Sequence, residues 1–321
     1  MMPVLPPLRF QGKVALITGG SRGLGFLLAR DLGRAGCRVA ICGRDQAALD
    51  WAQRQLAADG IRVLARPCEV GNREQVEGFV EETRRELGPI DVLVNNAGIM
   101  EVGPVQHMRY EDFQAAMAVM FWGPLHTIMA VYPEMIERGG GAIVNITSVG
   151  GKVSVPHLLP YCSAKFAAVG LSEGLRAELG SSHIRVLTVV PGLMRTGSYL
   201  NAFMRSQPGA EFAWFGLGAS LPGISMDAER AARQIVRAIK WGLPEVTLGI
   251  PARLIQILNG LAPGLTTTMM GLVNRLVLPR PGGAAHERAR GQEAQAGVNS
   301  RLFDLATALG RAAAERFQPN T

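Results

Sequence analysis

The run Thr18-Gly19-Gly20-Ser21-Arg22-Gly23-Leu24-Gly25 has glycines spaced to hold phosphate. Gly19 permits a tight turn, Gly23 lets the backbone approach a diphosphate, and Gly25 allows a helix to pack closely on the preceding strand. The unpaired N–H groups of that helix's first turn then meet the phosphate oxygens. The spacing is TGxxxGxG rather than GxGxxG, and its weight comes from its place between a first strand and a helix. At the end of the second strand, Gly43-Arg44 stands where a carboxylate would hydrogen-bond the adenosine ribose of NAD. Arg44 and Arg22 together suit a ribose 2′-phosphate, which guanidinium groups bind through several charge-assisted donors. The expected cofactor is NADP(H), preferred over NAD(H).

A second group lies further on. Tyr161 and Lys165 are four apart near the start of a helix, so they share one face. Ser148 precedes them, just beyond a strand. Alone, YxxxK also describes a tyrosine packed over a lysine stem. Here it accompanies the glycine turn, Asn95-Asn96-Ala97-Gly98 after a fourth strand and Pro191-Gly192 after a sixth.

Over roughly residues 10–250 this ordered set resembles the short-chain dehydrogenase/reductase family. The resemblance implies an oxidoreductase in which Tyr161 is the general acid/base, Ser148 polarises the substrate oxygen, and Lys165 binds the nicotinamide ribose and lowers the tyrosine pKa. A free phenol titrates near 10, so a neighbouring positive charge would bring it toward a working pH. It also implies cofactor contacts from Gly19, Ser21, Arg22, Gly23, Leu24, Gly25, Arg44, Glu69, Val70, Asn96, Ala97, Gly98, Tyr161, Lys165, Pro191, Gly192 and Thr196. Asn96 to Gly98 would lie along the ribose, and Thr196 beside the carboxamide.

Two positions depart from the family pattern. Met120 falls where an asparagine usually completes a proton relay, and a thioether donates no hydrogen bond. Glu69-Val70 replaces the usual Asp-Val near adenine. The alternative to an enzyme is therefore an NADP(H)-binding regulator or scaffold with weakened catalysis.

The elements that must position these residues are legible as β-branched runs alternating with helical stretches. Strands are expected at 13–18, 38–42, 62–66, 91–95, 142–147, 184–190 and 246–250. Helices of ten or more residues between strands demand right-handed crossovers, and hence a doubly wound α/β fold with a parallel sheet. Residues 193–224 read as a substrate loop with short helices, and Ser225 as the cap of the next helix. Apolar and aromatic residues, Val149, His157, Leu158, Leu193, Met194, Tyr199, Phe203, Phe212, Trp214 and Phe215, are the expected pocket wall, about half of them ordinary core. They favour a bulky apolar ketone, aldehyde or secondary alcohol. His157 is read as satisfying a loop hydrogen bond.

The chain has 321 residues and a net charge of +7. Its basic residues are mostly scattered arginines with no dense run, so nucleic acid is not an expected partner. The dispersed histidines and cysteines offer no metal spacing, and the cysteines read as reduced thiols of a cytoplasmic protein. Residues 1–250 form the expected catalytic domain and 251–321 an extension. From Leu254 to Asn274 there is no formal charge, but Gly260 to Gly264 splits the stretch into two helices too short to span a bilayer. They must cover an apolar face with the pocket mouth, a second subunit or a membrane surface, in that order. The tail from Arg301 reads as a peripheral helix. A homo-oligomer is expected from the family resemblance.

Overall fold

Val14–Thr18 (β1) is buried along its whole length, as a strand covered on both faces must be. In this computed structural model, which describes residues 6–282, 288–298 and 300–318, six further strands join it. They are β2 (Arg38–Gly43), β3 (Val63–Pro67), β4 (Val92–Asn95), β5 (Gly141–Ile146), β6 (Ile184–Pro191) and β7 (Glu245–Leu248). The order is β7-β6-β5-β4-β1-β2-β3, with every neighbouring pair parallel. The order reverses at β1 and β4, and a doubly wound sheet binds ligands outside the carboxyl ends at that switch.

Alternate strand residues serve two cores. Ala15 and Ile17 pack under α1 (Gly23–Arg34), α2 (Gln46–Ala58) and α8 (Ala228–Trp241). Val14 and Leu16 face α3 (Arg73–Leu87) and α5 (Gly123–Glu137), while α4 (Tyr110–Met117) packs with α6 (Leu159–Glu178). A π-helical turn, Ala118–Trp122, joins α4 to α5. The combined Tyr110–Glu137 stretch is long and apolar enough to cross a membrane, but Ile128, Val131 and Met135 are built into the second core.

Three expectations are corrected. Asp227, not Ser225, caps α8: its carboxylate accepts from Arg230 N at 2.8 Å, whereas the Ser225 hydroxyl donates back to Leu221 O. The substrate loop contains a full helix, α7 (Pro208–Ser220), which shows no apolar period because it is buried on several sides. The tail is not peripheral. After α9 (Ile250–Leu261) and α10 (Pro263–Leu276), strand Ala289–Arg290 pairs with Phe203–Met204 of the substrate loop, which pairs in turn with Glu101–Val102. Helices α11 (Gly291–Gln295) and α12 (Arg301–Ala306) lead to α13 (Ala308–Phe317), whose Ala313 and Phe317 join the first core. Its small residues allow close approach: a Cβ on Gly197, at φ +73°, would lie 2.6 Å from Ala314 Cβ.

Candidate active site

The glycine turn leaves β1 and enters α1 as expected. A Cβ on Gly25 would lie 2.2 Å from Gly19 O, so no side chain is possible there. The turn is pinned by Asn96, whose amide donates to Thr18 O at 3.0 Å and Gly19 O at 3.1 Å. That side chain therefore shapes the turn, leaving the backbone of Asn96 to Gly98 to face the cleft. All the residues expected to contact cofactor, from Gly19 to Thr196, line one cleft of about 970 Å³, together with Ser148, Tyr161 and Lys165.

At the end of the cleft beside β2, Arg44 is exposed on the rim and Arg22 is half-buried. Arg22 donates to Asn201 Oδ1 at 2.8 Å and lies 3.7 Å from Asp45. Burial lowers its pKa, only partly offset by Asp45, and Arg44 and Arg290 push it the same way. Asp45 is a carboxylate that the sequence reading overlooked in this pocket. It is engaged as the cap of α2, accepting from Ala48 N at 3.2 Å. Its signal was present, since an aspartate directly before a helix is a preferred cap.

At the other end, Ser148 ends the turn after β5, and its Oγ accepts from Gly150 N at 3.0 Å. Tyr161 and Lys165 project from the first turns of α6. Lys165 Nζ donates to Ile146 O at 2.8 Å and lies 5.8 Å from the centre of the tyrosine ring. The pKa of Tyr161 runs opposite to the expected direction: burial pushes the phenol up to about 12, against the pull of a hydrogen bond with Ser148. Lys165 is buried as well, and desolvation lowers its ammonium to about 8.

Met120 sits in the π-helical turn, 1% exposed, packed with Ala116, Ala164 and Tyr161. It fills the space behind the tyrosine with apolar volume. Beneath the site runs a buried polar chain that sequence reading missed. Thr127 donates to Asn95 at 2.6 Å, Asn95 to Asn145 at 2.9 Å and Asn145 to Ser172 at 3.0 Å; Ser172 meets Thr188 at 2.7 Å. It stitches α5, β4, β5, α6 and β6, which carry the site.

Of the expected pocket wall, Val149, Leu158, Leu193, Met194, Phe203, Trp214 and Phe215 line the cleft. Tyr199 and Phe212 belong to a core cluster beside it. His157, at φ +63°, is buried against Glu211, Nδ1 lying 2.9 Å from each carboxylate oxygen, and Trp214 Nε1 donates to Glu211 at 2.6 Å. Among the described residues, 250–282 contribute nothing to the cleft lining; Arg290, Gln292 and Gln318 do. The tail, and not the apolar helix pair, reaches the cleft. Gln318 Nε2 donates to Thr196 O at 2.8 Å and its Oε1 accepts from Asn201 at 3.1 Å, which continues to Arg22.

The short chain dehydrogenase family model matches residues 13–205, and the chain belongs to that family. It is 33% identical over 255 residues to the putative oxidoreductase SadH of Mycobacterium tuberculosis, covering 78% of this chain and 90% of that one. It is 33% identical over 188 residues to D-threitol dehydrogenase of Mycolicibacterium smegmatis, covering 59% and 72%. The L-sorbose reductase of Gluconobacter frateurii, solved with NADPH and L-sorbose, superposes with a TM-score of 0.67 at 26% identity, covering 74% and 95%. The protein is an oxidoreductase of the short-chain dehydrogenase class.

Proposed function

We propose that the protein transfers a hydride between NADP(H) and an apolar ketone, aldehyde or secondary alcohol, with Tyr161 as general acid/base. The observation that carries this reading is the single cleft with Arg22 and Arg44 at one end and Ser148, Tyr161 and Lys165 at the other. The glycine turn, where a Cβ on Gly19 would lie 2.9 Å from Ala97, is shaped for a diphosphate rather than a side chain. Arg22 within the turn and Arg44 after β2 fit a 2′-phosphate, and the sorbose reductase neighbour was solved with NADPH. When bound, the dinucleotide supplies or accepts the hydride at the carbonyl carbon.

The remaining chemistry falls to this chain. Ser148 donates a hydrogen bond to the substrate oxygen. Tyr161 passes its proton to that oxygen as the carbonyl is reduced and takes it back in the reverse direction. Lys165, held on Ile146 O, orients the ribose and offsets the phenolate charge. D-threitol dehydrogenase and L-sorbose reductase are named for a polyol and a sugar, but Leu158, Leu193, Trp214 and Phe215 here make an apolar wall, which supports a bulkier apolar substrate. The test is NADPH and NADH consumption against paired panels of apolar ketones and hydrophilic keto-sugars. Faster turnover with NADPH on the apolar set supports the proposal; NADH preference or sugar selectivity contradicts the corresponding part.

A further inference from the structure

Helices α9 and α10 carry their apolar faces outward. Along α9, Ile250, Leu254, Ile257 and Leu261 recur at helical spacing and are 77%, 63%, 52% and 81% exposed. Along α10, Leu265, Met269, Leu272 and Leu276 repeat the same spacing at 55%, 44%, 56% and 70%. A stripe of this kind ordinarily faces a core. Here the buried positions are small, Ala252 in α9 and Thr266 in α10. The pair is anchored on the catalytic side of the sheet: Ala252 lies against Gly192, and Asn259 donates to Lys152 O at 2.9 Å.

We infer that this helix pair docks on an anionic bilayer, its leucine stripes entering the boundary between headgroups and acyl chains. Charge selects that occupant. Between Glu245 and Glu287 the sequence has no Asp or Glu, whereas Arg253, Arg275 and Arg280 are exposed. A second copy meeting this face about a twofold axis would bring like charges together, with no carboxylate in the segment to pair them. Anionic lipid supplies the missing partner. The helices have 12 and 14 residues, fewer than the ~20 a span requires, so they lie in the interface rather than cross it. Docked this way, the carboxyl edge of the sheet, where the cleft opens, faces the lipid in which apolar carbonyls partition.

The experiment is co-sedimentation of the full chain with vesicles of phosphatidylcholine alone and of equal parts phosphatidylcholine and phosphatidylglycerol, at low and high salt. A Leu254→Gln/Leu272→Gln variant is run in parallel, with unfolding temperature and solution mass as controls. The expected result is binding to the phosphatidylglycerol vesicles that weakens with salt and falls about tenfold in the variant, as loss of apolar insertion requires. Absence of vesicle binding, or binding that the variant leaves unchanged, overturns the inference. So does a native dimer that the variant converts to monomer, because the second copy would then cover the stripes.

Discussion

Replacing Lys165 with methionine, which keeps the length of the stem and removes the charge, exposes how the site holds its lysine. Burial lowers the ammonium from 10.5 to about 8. The folded pKa lies below the unfolded one, so between these values the unfolded chain retains a proton that the native protein has lost. Stability therefore rises with pH through that window. At about 1.4 kcal/mol per unit, the folded protein carries a penalty of roughly 3 kcal/mol at neutral pH, which falls to about 1.4 kcal/mol near pH 9.5. The variant has no such penalty at any pH. It does lose the hydrogen bond to Ile146 O, but that loss is a constant offset across pH. Urea unfolding of both proteins at pH 7 and about pH 9.5 should show the native chain gaining about 2 kcal/mol on the variant. A native-minus-variant difference that stays flat with pH would refute the buried ammonium.

Other expectations concern the cofactor end, the relay position and the tail. Arg44→Ala should weaken NADPH binding by about 1–3 kcal/mol and leave NADH nearly unchanged, as read by fluorescence titration. Met120→Asn should change turnover less than about tenfold; rescue from inactivity to strong turnover would instead mark the native chain as a regulator. Glu101, buried under Arg288 with Asp112 and Arg205 nearby, is pushed up to about 7 by burial. Its folded pKa exceeds the unfolded value of 4.5, so stability falls as pH rises between the two. Glu101→Gln should abolish that slope in urea unfolding measured across pH 4.5 to 7.

Strand positions were readable because buried parallel strands are short unbroken apolar runs, and Val14 to Ile17 is such a run. The glycine turn and the Tyr161–Lys165 pair were readable because their spacing is fixed by local geometry, a tight turn in one case and a helix face in the other. Legibility ends where long-range packing decides. Helix α7 is buried on several sides and carries apolar residues around most of its circumference, so no period marks it. Arg290 and Gln318 reach the cleft only because a distant strand pairs with Phe203–Met204 and α13 docks on Gly197. Ser225 and Asp227 are both acceptable caps, and the backbone chose the one whose carboxylate meets Arg230 N. The rise of the Tyr161 pKa depends on a burial that no spacing reveals.

The central claim is that the Tyr161 hydroxyl carries the proton, and Tyr161→Phe tests it most directly. The ring remains to pack on Met120 and Ala164, so the unfolding temperature and NADPH affinity should be retained. Turnover of an apolar ketone that the native enzyme reduces should fall by at least about a hundredfold, the scale of positioned general acid–base catalysis. A variant that binds NADPH and keeps most of the native turnover would contradict the assignment.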